Sequence, residues 1–127
     1  ICDYFPKKFR FFRKKAYFTL LLSNNKKIKI LNKKFRNKNK HTDVLSFPFH
    51  QKKKDLKKIY LGDIIISYDY MNKPNNLSDT EFKQKTIKIF IHGFLHLLGY
   101  DHIRFKDYKK MFKEEQKIFK SVQKFIE

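Results

Sequence analysis

Three of the five histidines in the chain lie within eleven residues, around a glycine. His92 and His96 are four residues apart, so on an α-helix their rings leave the same face one turn apart. Gly99 follows, and glycine adopts the left-handed conformation that ends a helix without steric cost. We therefore predict that the chain turns back at Gly99 and returns His102 toward the first two rings. Three neutral imidazoles leave the fourth position of a tetrahedral zinc site open, which is typical of a catalytic site.

A histidine on an apolar helix is more often a satisfied core residue than a metal ligand, and this alternative applies to each ring taken alone. A core role explains less well why three histidines lie so close together around one glycine. A buried trio of imidazoles without a cation to share would be electrostatically unfavourable.

The spacing H-x-x-x-H-x-x-G-x-x-H is also that of the metzincin proteases, which place a glutamate, the general base, directly after the first histidine. This chain has Gly93 at that position. Because Gly93 has no side chain, the ligand spacing is kept while the base of the protease is absent.

A glycine inside a helix costs about 1 kcal/mol relative to alanine. Close packing of another part of the chain, or space for a bulky substrate beside the metal, would account for it, and the sequence leaves both open.

Composition favours one domain in a reducing compartment. The 127 residues are enough for a single core, and Cys2 is the one cysteine, so no intrachain disulfide is possible. The longest apolar run is too short to span a bilayer. Residues 1–15 are basic and aromatic and lack the apolar core of a secretory signal, and because residue 1 is not methionine we expect the native start to be missing. We expect a single domain over 1–127, cytoplasmic and without a membrane partner.

The net charge of +19 indicates an affinity for polyanions, with RNA or DNA as the first candidate. Nearly all of this charge is lysine. Lysine, asparagine, isoleucine and phenylalanine all have A/T-rich codons, so genomic base composition also explains much of it. The charge therefore supports nucleic-acid binding without establishing it.

The order of the predicted elements indicates an α+β fold: a sheet of about three to four strands with helices packed on it. We predict a buried strand at 17–23, a strand at 42–49 and the clearest strand at 59–67, where Gly62-Asp63 suggests a bulge or a close approach. A lysine-rich loop is predicted over 51–58.

Helices are predicted around 28–35 and 68–73 and in two longer segments. A capping-box signature at 78–81 begins a helix that runs to Leu98, and beyond Thr86 it is apolar nearly all round, so it should be the buried central helix. An apolar stripe at helical spacing predicts a last helix whose stripe belongs to the core. Its members are Tyr108, Met111, Phe112, Ile118, Phe119, Val122, Phe125 and Ile126.

Four stretches resemble signatures of the YbeY family of bacterial rRNA-maturation endoribonucleases. Residues 92–102 resemble H-G-x-L-H-L-x-G-Y-D-H, and residues 42–49 resemble T-[DN]-V-L-S-F-P. Residues 61–63 with the apolar strand after them, and residues 31–36, are similar to two further signatures. The match runs from about residue 17 to beyond residue 102. Lys88 departs from the pattern, because many members carry a histidine there, one turn before the first ligand.

The resemblance implies a zincin-like domain with a small mixed sheet, in which His92, His96 and His102 bind one metal ion, expected to be Zn²⁺. It also implies a single-strand-specific endoribonuclease in small-subunit (16S) rRNA maturation and ribosome quality control. Its partners would be single-stranded rRNA, the ribosomal small subunit and its assembly factors.

An essential arginine of the family maps onto Arg36, although an arginine in a loop, taken alone, is more often a solvated surface cation. As the catalytic residue, its guanidinium would hold the extra negative charge of the transition state with two aligned hydrogen bonds.

No general base is evident in the sequence. Asp43, Asp63 and Asp101 are candidates to orient water or to support the histidines, with Asp101 more typical of a turn residue. Two other functions stay open: a non-catalytic, metal-stabilised module that binds RNA or the ribosome, and a metalloprotease-like hydrolase with a base from elsewhere. Three imidazoles also suit nickel, copper or iron.

Overall fold

The computed structural model describes residues 5–6, 16–49, 59–73 and 76–124. The predicted lysine-rich loop at 51–58 lies outside the described residues. The described elements follow one another in this order: β1 Ala16–Ser23, α1 Asn25–Arg36, β2 Val44–Pro48, β3 Ile59–Ser67, α2 Tyr68–Met71, α3 Asp79–Leu97 and α4 Phe105–Gln123. The predicted α+β fold, with a small mixed sheet and packed helices, is confirmed.

β3 is the central strand of the three-stranded sheet in the described part of the chain, between β1 and β2. β1 runs parallel to β3, and β2 runs antiparallel to it. The pairing of β1 with β3 shifts register opposite Gly62, whose φ is +134°. A Cβ at Gly62 would overlap the carbonyl oxygen of Phe47 on β2, so only glycine fits. The predicted irregularity at Gly62-Asp63 is confirmed.

β1 lies at an edge of this sheet, and the prediction that it is a buried strand is wrong. Leu20, Leu21 and Leu22 are 48, 52 and 54% exposed. Phe18 does pack against α3, with its ring 5.7 Å from that of Phe90. The apolar run correctly predicts a strand, but burial depends on the position of the strand in the sheet, which the run itself does not encode.

The two faces of β3 belong to two hydrophobic clusters, because alternate side chains of a strand point to opposite faces. Ile64 and Ile66 pack in the larger cluster, with α3 and α4. Ile65 packs in the smaller cluster with Leu45 and with Ile28 of α1. The sheet therefore lies between α1 on one face and α3 with α4 on the other.

α3 begins where the sequence predicts, because the Ser78 side chain accepts a hydrogen bond from the Glu81 backbone N–H at 3.2 Å. From Ile87 to Leu97 its residues are buried, except for three. Those three, one turn apart along one side of the helix, are Lys88, His92 and His96. The predicted buried central helix is confirmed.

α4 is the predicted last helix, but only part of its apolar stripe is core. Tyr108 and Phe112 are each 49% exposed, so the core assignment is wrong for them. Residues 125–126 lie outside the described residues. The stripe is wider than the surface that α3 covers. Its fully buried members are Met111, Ile118 and Val122.

At Gly93 the backbone of α3 lies close against the sheet. A Cβ there would lie 2.9 Å from Ile64 Cγ2 and 3.0 Å from Val44 Cγ2. The hydroxyl of Ser46 donates a hydrogen bond of 2.8 Å to the Gly93 carbonyl oxygen. These contacts support the packing explanation of this glycine.

Replacing Gly93 by alanine is expected to lower the free energy of unfolding by about 1 kcal/mol. Overpacking against two stiff β-branched side chains costs about 1–3 kcal/mol, which exceeds the gain of about 1 kcal/mol in helix propensity. Urea unfolding of the metal-free protein measures this difference. Lys83→Ala, at an exposed position of the same helix, is the matched control and should change stability by less than about 0.5 kcal/mol. A Gly93→Ala protein as stable as the parent would contradict the packing explanation.

Candidate metal centre

α3 presents His92 and His96 on its one exposed side, and the chain after Gly99 brings His102 to them. Gly99 has φ +99°, the left-handed conformation that the turn requires. The three ring centroids lie 4.7 to 5.3 Å from one another. One ring nitrogen from each histidine falls within 4.8 Å of the other two, so the trio could hold a metal ion.

The donor set fits a divalent cation. The Nε2 atoms of His92 and His96 are 3.2 Å apart. Two nitrogens bound at 2.0–2.1 Å to one tetrahedral zinc ion would lie about 3.3 Å apart. Nδ1 of His92 lies 2.7 Å from a carboxylate oxygen of Glu115. A proton on that Nδ1 leaves the Nε2 lone pair facing the other two rings, as a metal ligand requires.

His96 is held in its neutral form. Burial, together with the neighbouring rings of His92 and His102, lowers the pKa of His96 from 6.5 to about 4. Neutral imidazole is the form that binds a metal, so His96 needs no deprotonation near pH 7. The positive charge of Arg36 also lowers the pKa of His96, so the guanidinium influences the histidine site electrostatically.

Arg36 is the last residue of α1, and it contacts the strand beside the site. Its Nη2 donates a hydrogen bond to the Ser46 carbonyl oxygen, and its guanidinium lies 5.6 Å from the centre of the Phe47 ring. The Ser46 hydroxyl in turn binds the carbonyl of Gly93, the residue after His92. Strand β2 thus connects Arg36 to the helix that carries His92 and His96. A freely solvated cation in a loop would lack this connection.

Glu115, on α4, is the residue near the histidines that the sequence analysis missed. It follows Met111 by four residues and precedes Ile118 by three, so it lies at the border between the buried and exposed sides of the helix, with its side chain 26% exposed. A carboxylate next to the apolar positions of a helix, in a chain with three clustered histidines, could have indicated that Glu115 contacts one of them. Its partner His92 is 23 residues away.

The aspartates proposed as supports for the histidines have other partners. An Asp101 carboxylate oxygen accepts from the Ile103 backbone N–H at 3.3 Å, which is the turn role that the sequence favoured. Asp63 accepts from the Tyr60 hydroxyl and raises the pKa of that phenol. Asp43 accepts from the hydroxyl of Thr42 at 3.2 Å.

Lys88, which departs from the family signature, contacts an aromatic ring of α4. Its ammonium lies 4.7 Å from the centre of the Phe119 ring on α4. A cation over an aromatic ring is a stabilising contact between helices. At this position the chain therefore has a packing contact between α3 and α4.

Replacing Glu115 by glutamine is expected to weaken metal binding by about 10- to 100-fold, because a neutral amide is a weaker acceptor for Nδ1–H of His92 and orients that ring less firmly. Competition with a chromophoric chelator measures the affinity. Glu81→Gln, an exposed glutamate on α3, should leave it unchanged. Equal affinities for the parent and the Glu115→Gln protein would remove Glu115 from the site.

Comparisons with known proteins agree with the resemblance in the sequence. A family model described as Endoribonuclease YbeY matches residues 1–123. A relative of that name from Pelagibacter ubique (strain HTCC1062) is 68% identical over 114 residues, covering 90% of this chain and 74% of the relative. One from Persephonella marina is 41% identical over 86 residues, covering 68% of this chain and 56% of the relative. One from Staphylococcus carnosus is 36% identical over 112 residues, covering 85% of this chain and 73% of the relative.

A similar structure has also been solved. The solution structure of TM1509 from Thermotoga maritima matches with a TM-score of 0.53 at 30% identity, covering 91% of this chain and 77% of that one. Among the described residues, no helix is both long and apolar enough to cross a membrane.

Proposed function

Because the chain belongs to the YbeY family of endoribonucleases, we propose that it cleaves single-stranded RNA at a metal centre formed by His92, His96 and His102. The observation that carries the proposal is the convergence of three imidazoles on one side of an otherwise buried helix. The expected ion is one Zn²⁺, which three histidine nitrogens suit.

The three histidines would hold the ion, and the surrounding residues fix the geometry of their rings. Packing of α3 against the sheet at Gly93 fixes the backbone between His92 and His96. Glu115 accepts a hydrogen bond from Nδ1–H of His92 and thereby orients that ring. When bound, the ion would supply Lewis-acid activation of water and of the phosphoryl group.

Arg36 is the proposed catalytic residue for the charge that develops on the phosphoryl oxygens. A guanidinium presents a planar pair of donors to two such oxygens, which an ammonium cannot do. Its hydrogen bond to Ser46 restrains the side chain before substrate arrives. Donors arranged in advance stabilise a transition state without a cost of reorganisation.

RNA as the substrate is supported by the family and by the charge of +19, because phosphates attract lysine and arginine side chains. We extend the proposal to small-subunit (16S) rRNA maturation and ribosome quality control in the cytoplasm, with the ribosomal small subunit and its assembly factors as partners. This wider role rests on what the resemblance to the family implies.

One incubation experiment separates the proposal from its alternatives. The protein is mixed with single-stranded RNA and, separately, with an unstructured peptide, each with and without a chelator. We expect RNA fragments without chelator, their loss with chelator, and intact peptide throughout. Cut peptide would favour a protease. RNA bound but intact under every condition would favour the non-catalytic module.

A further inference from the structure

Helix α4 carries a row of exposed aromatic rings on the side that leads to the metal centre. Phe105, Tyr108 and Phe112, here called the aromatic row, are 72, 49 and 49% exposed. Steps of three and four residues keep these rings on one side of the helix. Glu115 follows Phe112 by three residues and Tyr108 by seven, so it continues the same side. The row therefore ends at the carboxylate that contacts His92.

The dimensions of the aromatic row suit a few nucleotides. At 1.5 Å per residue, Phe112 is about 4.5 Å and Phe105 about 15 Å from Glu115 along the helix axis. The rings of Tyr108 and Phe112 have centroids 6.1 Å apart and are 15° from parallel. The row itself is about 10 Å long, which is the length of about three stacked nucleotides at 3.4 Å each.

A row of lysines lies beside the aromatic row. Each lysine follows one of the three aromatic residues directly in the sequence. Lys106, Lys109 and Lys113 are all exposed and share the spacing of the rings. The ammonium of Lys109 lies 4.8 Å from the centre of the Phe105 ring. This places positive charge at the edge of an apolar, aromatic surface, which matches a ligand that has flat bases and a charged backbone.

We propose that the aromatic row and the adjacent lysines form the surface along which single-stranded RNA reaches the metal centre. Unpaired bases stack on Phe105, Tyr108 and Phe112, while the lysines bind phosphates. Stacking tolerates any base, so this surface selects unpaired RNA rather than a particular sequence. The inference rests on the proposed function and adds to it the part of the chain that binds substrate away from the cut.

The test compares two double variants that differ in aromatic character. In the first, Tyr108→Leu is combined with Phe112→Leu, which keeps apolar area and removes the rings. In the second, Tyr108→Phe is combined with Phe112→Tyr, which keeps both rings. The matched control is Tyr68→Leu, at a tyrosine that is 48% exposed at the start of α2.

Fluorescence anisotropy with a labelled single-stranded oligoadenylate of about twelve nucleotides measures binding, with chelator present to prevent cutting. The leucine double variant should bind at least about 25-fold more weakly, since each of the two rings that stacks on a base contributes about fivefold or more. The ring-keeping variant and the Tyr68→Leu control should bind as the parent does. In the metal-loaded protein, the leucine variant should raise KM for RNA cleavage and leave kcat within about twofold.

Each other outcome has a distinct meaning. If the parent cuts RNA and the leucine variant binds and cuts equally well, the inference is overturned and the proposed function stands. If the parent neither binds nor cuts RNA, the proposed function fails and the inference with it. Unchanged RNA affinity, together with loss of a dimer in sedimentation, would make the row an interface between copies of the chain and would overturn the inference.

Discussion

Replacing His96 by alanine is expected to remove the bound metal and the cleavage of RNA together. His96 is the middle histidine of the trio in sequence, and its Nε2 lies 3.2 Å from that of His92. Two remaining histidines would leave the ion without the third protein ligand of a catalytic zinc site. Because such an ion contributes several kcal/mol to transition-state stabilisation, cleavage should fall by about a thousandfold or more.

Metal analysis and an RNA cleavage assay on the same His96→Ala sample measure both effects. His41→Ala is the matched control, because His41 is an exposed histidine outside the trio, hydrogen-bonded at 2.9 Å to the Tyr70 hydroxyl. It should keep both metal and activity. Circular dichroism should show that His96→Ala still folds, since the apolar residues of α3 are unchanged. A folded His96→Ala protein with one tightly bound ion would contradict the ligand assignment.

Arg36→Ala should retain its metal ion and lose RNA cleavage by about 100- to 1,000-fold, which is the usual effect of removing one preorganised donor from a transition state. The guanidinium contacts Ser46 and Phe47, so its removal should leave the three histidines in place. Arg36→Lys should restore little of the loss, because an ammonium cannot form two parallel hydrogen bonds to a phosphoryl group.

Single-turnover cleavage with saturating protein measures this effect on the chemical step, and metal analysis of the same samples shows that the site is intact. Lys34→Ala removes a cation two residues away, one whose ammonium lies over the Phe35 ring, and should cut RNA at the parental rate. Cleavage by Arg36→Ala at the parental rate would contradict the catalytic role of Arg36 and would indicate that it is a surface cation.

The features that the sequence predicted well are those encoded over short stretches. The Ser78 cap and the apolar run after it define α3 locally, and the four-residue step from His92 to His96 carries over directly to the helix. Gly99 supplies the turn that brings back His102. Each of these needs no knowledge of what packs against the segment.

The features that were missed depend on contacts between distant parts of the chain. Glu115 reaches His92 only because α4 packs against the helix that carries the histidines, and no local pattern in α4 encodes that pairing. Burial of the leucines of β1 and of Phe112 on α4 was predicted from apolar character alone. Apolar character shows which residues favour burial, while the positions of β1 in the sheet and of α4 on α3 decide which are covered.

The most direct test of the metal centre is a titration of metal-stripped protein with Zn²⁺, in which bound metal and the rate of cleavage of single-stranded RNA are followed in the same samples. The account predicts no cleavage by the stripped protein and a rate that rises with occupancy to a plateau at one ion per chain. Full cleavage by protein that contains no metal, or a rate that does not change as the site fills, would contradict it.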